Sequence, residues 1–204
     1  MSDDPAEQRL AQSVESATKP HPFRSPAPAI HRPFEEADWF NAIGWPFQHW
    51  QSSRYSDGSF GAWYGTDSVE ASVFETAYHW YKGLLSDAGY TREKVAIERK
   101  VYNVRCEALL LDLSPRVVAH PALVHKTDYS FTQQVGARLH REGHPGITVP
   151  SVRYPRSACY VIFNPAVLAN PRTHCMLTYR LDGAHIRVEK RPGVTWRRIA
   201  VADL

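Results

Sequence analysis

At 204 residues, 43% of them hydrophobic and 12% aromatic, the chain holds enough apolar material for one packed domain plus a tail, not for two full domains. Its net charge of +3 comes from scattered basic residues, which suits an anionic small molecule and is too weak a bias to argue for nucleic acid. No apolar run approaches the roughly 20 residues of a membrane helix, and Met1-Ser-Asp-Asp-Pro5 lacks the start of a secretory signal. Cys106, Cys159 and Cys175 form no CxxC pair, so reduced thiols in a cytoplasmic protein are expected.

Residues 1–33 carry Pro5, Pro20, Pro22, Pro26, Pro28 and Pro33 and few large apolar side chains before Phe23, which predicts a Pro-rich N-terminal extension. From Phe34 the aromatic density rises through Trp39, Phe40, Trp45, Phe47 and Trp50, so the globular domain is placed at 34–204. A turn-rich stretch, 52–61, contains the Asp57-Gly58 signal and leads into a short strand at Ala62-Trp63-Tyr64.

The clearest helix runs from Asp67 to about Leu85, with Asp67 or Ser68 as cap and Asp67 with Glu70 as a capping box. Phe74, Tyr78, Tyr81 and Leu85 recur at helical spacing and are expected on the core face. Glu75 lies about 100° round from Phe74, at the border of that stripe and away from the fully solvated side. Lys100 to Leu113 reads as β-rich, its Ala-Leu-Leu-Leu-Asp-Leu end suiting a buried strand. A second helix is predicted over 128–142, with Phe131, Val135 and Leu139 on one face and Gly143 and Pro145 as its stop. Short strands follow at 146–149 and 159–163, then a hairpin of 176–180 with 186–190 around Asp182-Gly183. Strands and helices do not alternate regularly, which favours an α+β fold with a mixed or antiparallel central sheet and flanking helices.

His140-Arg-Glu-Gly-His144 places two histidines four apart, but the Glu is misplaced for a zinc-protease motif and Gly143 breaks the helix between the rings; no metal site is expected. His120 and His125 read as loop histidines, and the cysteines as core residues. Nothing matches a glycine-rich phosphate loop. Arg54, Tyr64 and Glu75 stand in a turn, a strand and the following helix, so that one cleft can collect them. By spacing alone, surface residues or structural ion pairs are the better reading of such a trio.

The order of these residues resembles the RES family, toxins of bacterial toxin–antitoxin pairs. That pattern is an Arg followed by an aromatic, a Tyr ten residues on, and a Glu eleven further within an Ala-rich helix; Arg54-Tyr55, Tyr64 and Ala71-Ser-Val-Phe-Glu75 keep both intervals. The family's Ser motif is matched by Val149-Pro-Ser151-Val-Arg153 and its Asn-Pro element by Asn164-Pro165 after an apolar strand. The chain departs from the family where many members have Gly-Arg-Phe/Trp-Asn, having Ser53-Arg54-Tyr55-Ser56 instead. Arg32, in competition with Arg24, is the counterpart of the family's earlier Arg.

The resemblance implies a fold like that of ADP-ribosyltransferases and a domain at 34–204 that takes NAD as substrate, not as a prosthetic group. It implies cleavage of the nicotinamide–ribose bond by hydrolysis or phosphorolysis, or ADP-ribosyl transfer to a protein. Glu75 would stabilise the developing sugar cation, Tyr64 would pack on nicotinamide or orient the ribose, and Arg54, Ser151, Arg153 and Arg32 would hold pyrophosphate or ribose oxygens. Asn164 is assigned a structural role, capping the turn before Pro165. The implied partner is an Xre-family antitoxin with a helix-turn-helix region, in a complex that accommodates a toxin homodimer. An inactive RES-like interaction module and a nucleic-acid-binding protein are the competing classes; no direct nucleic-acid binding and no membrane association are expected.

Overall fold

Ser68 begins a helix of 12 residues, and its side chain shows why the helix starts there: extended backbone at Ser68 lets its Oγ accept from the Ala71 backbone N–H. The computed structural model describes residues 37–91 and 93–204. The predicted extension, residues 1–33, and with it Arg24 and Arg32, lies outside the described residues. Asp38–Leu204 make one compact unit. A π-helical turn, Phe40–Gly44, leads into the short helix α1, Trp45–Gln48; the longer helices are α2, Val69–Trp80, and α3, Ser130–Arg141.

Among the described residues eight strands form two sheets: β1 Trp63–Thr66, β2 Ala96–Cys106, β3 Leu111–Asp112, β4 Gly146–Pro150, β5 Ala158–Ile162, β6 Leu168–Asp182, β7 His185–Arg191 and β8 Val194–Ala200. The first sheet, ordered β1-β5-β4-β3, is mixed: β1 and β4 flank β5 antiparallel, while β3 joins β4 parallel at Leu111 and Ile147. The second, ordered β2-β6-β7-β8, is antiparallel throughout. The fold is therefore α+β, as the sequence predicts, with its mixed and antiparallel pairings divided between two sheets.

Each sheet carries one long helix. Val73, Ala77 and Trp80 of α2 and Leu85 beyond it pack on Leu177, Tyr179, Leu181, Ile186, Val188 and Ile199 of the second sheet. Leu139 of α3, with Phe131 and Val135 beside it, packs on Ile147, Val149 and Val161 of the first. A smaller cluster of Ile43, Ile162 and Leu168 is flanked by Trp63, whose indole N–H donates to the Ala42 carbonyl at 2.7 Å.

Three expectations change. The buried stripe of α2 is Val73, Ala77 and Trp80; Phe74 and Tyr81 flank that core and Tyr78 turns to a cleft. The reason is that two layers meet this helix: Val73, Ala77 and Trp80 face the sheet, while Phe74 on the border stacks on Tyr154. Asp67 does not cap α2: it binds the Ser157 hydroxyl and the Ala158 N–H, fastening the end of β1 to the start of β5. The Ala-Leu-Leu-Leu run is not a buried strand either. Only Leu111–Asp112 pair, and Leu109 is 95% exposed.

Gly136 marks where α3 meets the rest of the first layer. A Cβ there would collide with the Tyr55 carbonyl oxygen, so the helix approaches the backbone beside Arg54 as closely as only glycine allows. α3 ends as predicted, at Gly143 with φ +80°.

Candidate active site

Helical phase puts Glu75 on the side of α2 away from the second sheet, and there it lines a cleft of about 880 Å³ with Arg54 and Tyr64. That volume falls in the range of roughly 300–1,000 Å³ typical of small-molecule sites. The walls come from the 45–54 region, β1, α2 with the turn that follows it, and the end of β4.

Ser151 reaches Glu75 from behind. It is 1% exposed, its hydroxyl donates to Glu75 Oε1 at 2.9 Å, and it accepts from the Tyr154 N–H at 3.1 Å. Its own N–H donates to the Ser157 carbonyl. Glu75 Oε1 is thereby fixed, and among the described residues Oε2 has no hydrogen-bond partner and the carboxylate has no ion-pair partner. A half-buried carboxylate without a counter-ion is costly to keep, and such a group is suited to meet a cation brought by a ligand. Ser151 thus supports Glu75; it does not line the cleft, in contrast to the ligand-holding role expected from the resemblance. Ser151, one residue past β4, is itself buried, whereas Val149 and Pro150 before it line the cleft.

Arg54 lies on the cleft wall with its guanidinium 4.4 Å from the Tyr129 ring centre, and Nη1 donates to the His125 carbonyl at 2.6 Å. One ring face and one carbonyl hold the fork in place, a pre-organised donor for an anion. Arg153 is placed differently. Its guanidinium sits 3.4 Å from the Tyr78 ring centre, Nη2 donates to the Lys126 carbonyl at 2.6 Å, and it is not among the residues lining the cleft. The structure therefore brings Arg54, Tyr64, Glu75 and Ser151 together and gives Arg153 bonds that tie the loop after β4 to α2 and to Lys126.

Tyr64 spends its hydroxyl on the protein. It accepts from the Tyr55 N–H at 2.9 Å and pairs with Ser53 Oγ at 2.9 Å, while the ring remains 37% exposed to the cleft. The phenol is packed at its far end although its ring is open, and burial pushes its pKa up to about 12, against the lowering effect of the Ser53 bond. The ring face is what Tyr64 offers a ligand. Tyr64→Phe is expected to keep that face but strand the Tyr55 N–H, costing about 1–3 kcal/mol; a urea midpoint equal to the wild type would contradict this.

Several neighbours carry no sequence signal that singles them out. Ser53 is one, and Tyr129, beneath Arg54, is another. Tyr154 stacks on Phe74 at 5.3 Å and gives its N–H to Ser151. Tyr78 and His79 were legible in principle, since they follow Glu75 by three and four residues and so share its face. Cys159 also borders the cleft, but burial and then the Glu75 charge push its thiol up to about 12, which removes it as a nucleophile. His140 is stacked on Phe60 with ring centres 4.2 Å apart, and His144 leans toward Glu142. Among the described residues no group of three or more His, Cys, Asp or Glu could hold a metal ion, and no helix is long and apolar enough to cross a membrane. Asn164 accepts from the Ala166 N–H, the local cap expected before Pro165.

No curated protein matches the chain. The model of the RES domain matches residues 22–182, a span that contains the Arg54–Tyr64–Glu75 constellation, Ser151 and the Asn164-Pro165 element. By that match over most of its length, the chain belongs to the RES-domain family.

Proposed function

We propose that the cleft binds NAD and that the chain cleaves its nicotinamide–ribose bond. The observation that carries this reading is the Glu75 carboxylate, tethered through one oxygen by Ser151 and lacking a counter-ion among the described residues. In NAD the nicotinamide is already cationic, so it departs with the C–N electron pair as a neutral molecule and needs no general acid. One carboxylate therefore suffices, unlike the pair used on ordinary glycosides. Glu75 stabilises the positive charge that grows on the ribose as the bond breaks. The open ring of Tyr64 packs against an aromatic part of the substrate, and Arg54 neutralises pyrophosphate.

In the cell such an activity depletes NAD and stops growth, which fits a toxin held in check by a cognate Xre-family antitoxin. Membership in the RES-domain family supports this role. An antitoxin segment bearing a carboxylate would complement Arg54 at the cleft.

The test is direct. Purified protein is mixed with NAD, and free nicotinamide is followed by chromatography. Release by the wild type supports the reading, and no release sinks it. Parallel reactions with and without inorganic phosphate, and with candidate acceptor proteins, separate hydrolysis, phosphorolysis and ADP-ribosylation by their products.

A further inference from the structure

Cleavage leaves a second chemical task. The ribosyl cation must be captured by an oxygen nucleophile, and that oxygen must lose a proton. Ser151 is buried behind Glu75, the Tyr64 hydroxyl is engaged by Ser53 and Tyr55, and Cys159 is a protonated thiol. Among the described residues two imidazoles line the cleft: His49 is stacked on Trp45 at 3.7 Å with Nδ1 on the Trp45 carbonyl, which leaves His79 as the one with both nitrogens unengaged. It lies one helical turn beyond Glu75 on α2, it lines the same cleft, and its side chain is exposed there. Among the described residues neither ring nitrogen has a hydrogen-bond partner; the ring makes only an edge contact with Tyr78, centres 5.3 Å apart.

We propose that His79 is the base that accepts the proton of the attacking water, or of another small oxygen nucleophile, as that oxygen bonds to the ribosyl carbon. The step balances as follows: a lone pair of the acceptor oxygen forms the new C–O bond, its O–H pair stays on oxygen, and the proton moves to an imidazole nitrogen and then to solvent. The inference rests on the NAD reading.

The surroundings keep the ring competent. The protein packed around it favours the neutral imidazole, Glu75 opposes this, and Arg153 and Arg54 reinforce it, so its pKa lies below the ordinary histidine value. Lys82 and Arg99 also line this cleft and add positive charge. A base of lowered pKa remains neutral, and so able to take a proton, at pH values where a free histidine is already charged.

Two quantities test this in the full-length chain: net nicotinamide release, and exchange of isotopically labelled nicotinamide into NAD. Exchange requires only that the bond break and re-form; net release requires capture by an acceptor. His79→Asn is expected to lower net release about 10²-fold, the low end for general-base catalysis. Its ratio of exchange to net release should rise at least fivefold. The ratio is independent of how much protein is folded, and His79→Gln provides a second variant. The wild type should lose net release as pH falls through the lowered pKa of the ring, a limb absent from His79→Asn.

A ratio rising less than fivefold, or an acid limb kept unchanged in both variants, overturns the role of His79. That result would leave the NAD reading intact, provided that the wild type releases nicotinamide. A wild type that releases no nicotinamide overturns the NAD reading and this inference with it.

Discussion

Glu75→Gln should lower nicotinamide release from NAD by about a thousandfold while leaving the fold in place. Glutamine keeps the length of the side chain and a carbonyl oxygen able to accept from Ser151 Oγ, so the 2.9 Å tether survives and only the charge is lost. A full negative charge about 4 Å from a developing positive one is worth roughly 4 kcal/mol at an effective dielectric of about 20. That energy corresponds to about three powers of ten in rate. Because the stabilised charge exists only at the transition state, the loss belongs in kcat more than in KM. A Glu75→Gln protein that is folded by circular dichroism and retains rates within about tenfold of the wild type would remove Glu75 from the mechanism.

The largest effect on stability is expected at Gly136. Alanine is the better helix former by about 1 kcal/mol, and on an open helix face Gly136→Ala would stabilise the chain. Here the added Cβ meets the backbone of Tyr55, not the pliant end of a side chain. That backbone is pinned: the Tyr55 N–H binds Tyr64, the Tyr55 hydroxyl donates to the Leu123 carbonyl at 3.3 Å, and Gln133 holds the Ser53 carbonyl at 3.0 Å. Overpacking costs about 1–3 kcal/mol, occasionally more, and a fixed backbone wall puts Gly136 at the upper end, so the sign is destabilising. Arg54 is the neighbour of the displaced residue, and turnover of NAD should fall along with the urea midpoint. A variant as stable as the wild type would mean that α3 can slide away from Tyr55.

The parts of this arrangement that the sequence makes legible are those where one periodicity faces one environment. α3 reads correctly because Phe131, Val135 and Leu139 meet a single sheet and Gly143 ends the run. α2 is recognisable as a helix but not in its orientation, since its aromatic residues border two layers at once. β8 escapes because it is an edge strand in which exposed Arg197 and Arg198 stand beside Trp196, a pattern that looks like a solvated tail. The run at 108–113 misleads in the opposite sense, because leucines in sequence look buried wherever they end up. In the site, fixed intervals brought Arg54, Tyr64 and Glu75 forward and the structure gathers them at one cleft. What no interval reveals is that Ser151 would stand behind the carboxylate and Arg153 would lie against Tyr78. Those placements depend on where β4 ends in three dimensions.

The tether between Ser151 and Glu75 joins residues 76 positions apart, and its two ends rest on different cores. Glu75 rides on a helix seated on β6, β7 and β8, and Glu70 of that helix pairs with Arg197 at 3.3 Å. A nascent chain that has been synthesised only as far as Ser151 already contains Arg54, Tyr64 and Glu75, but lacks β6, β7 and β8, which supply the buried residues under α2. Under the proposed NAD reading, turnover would begin only after β6, β7 and β8 have left the ribosome.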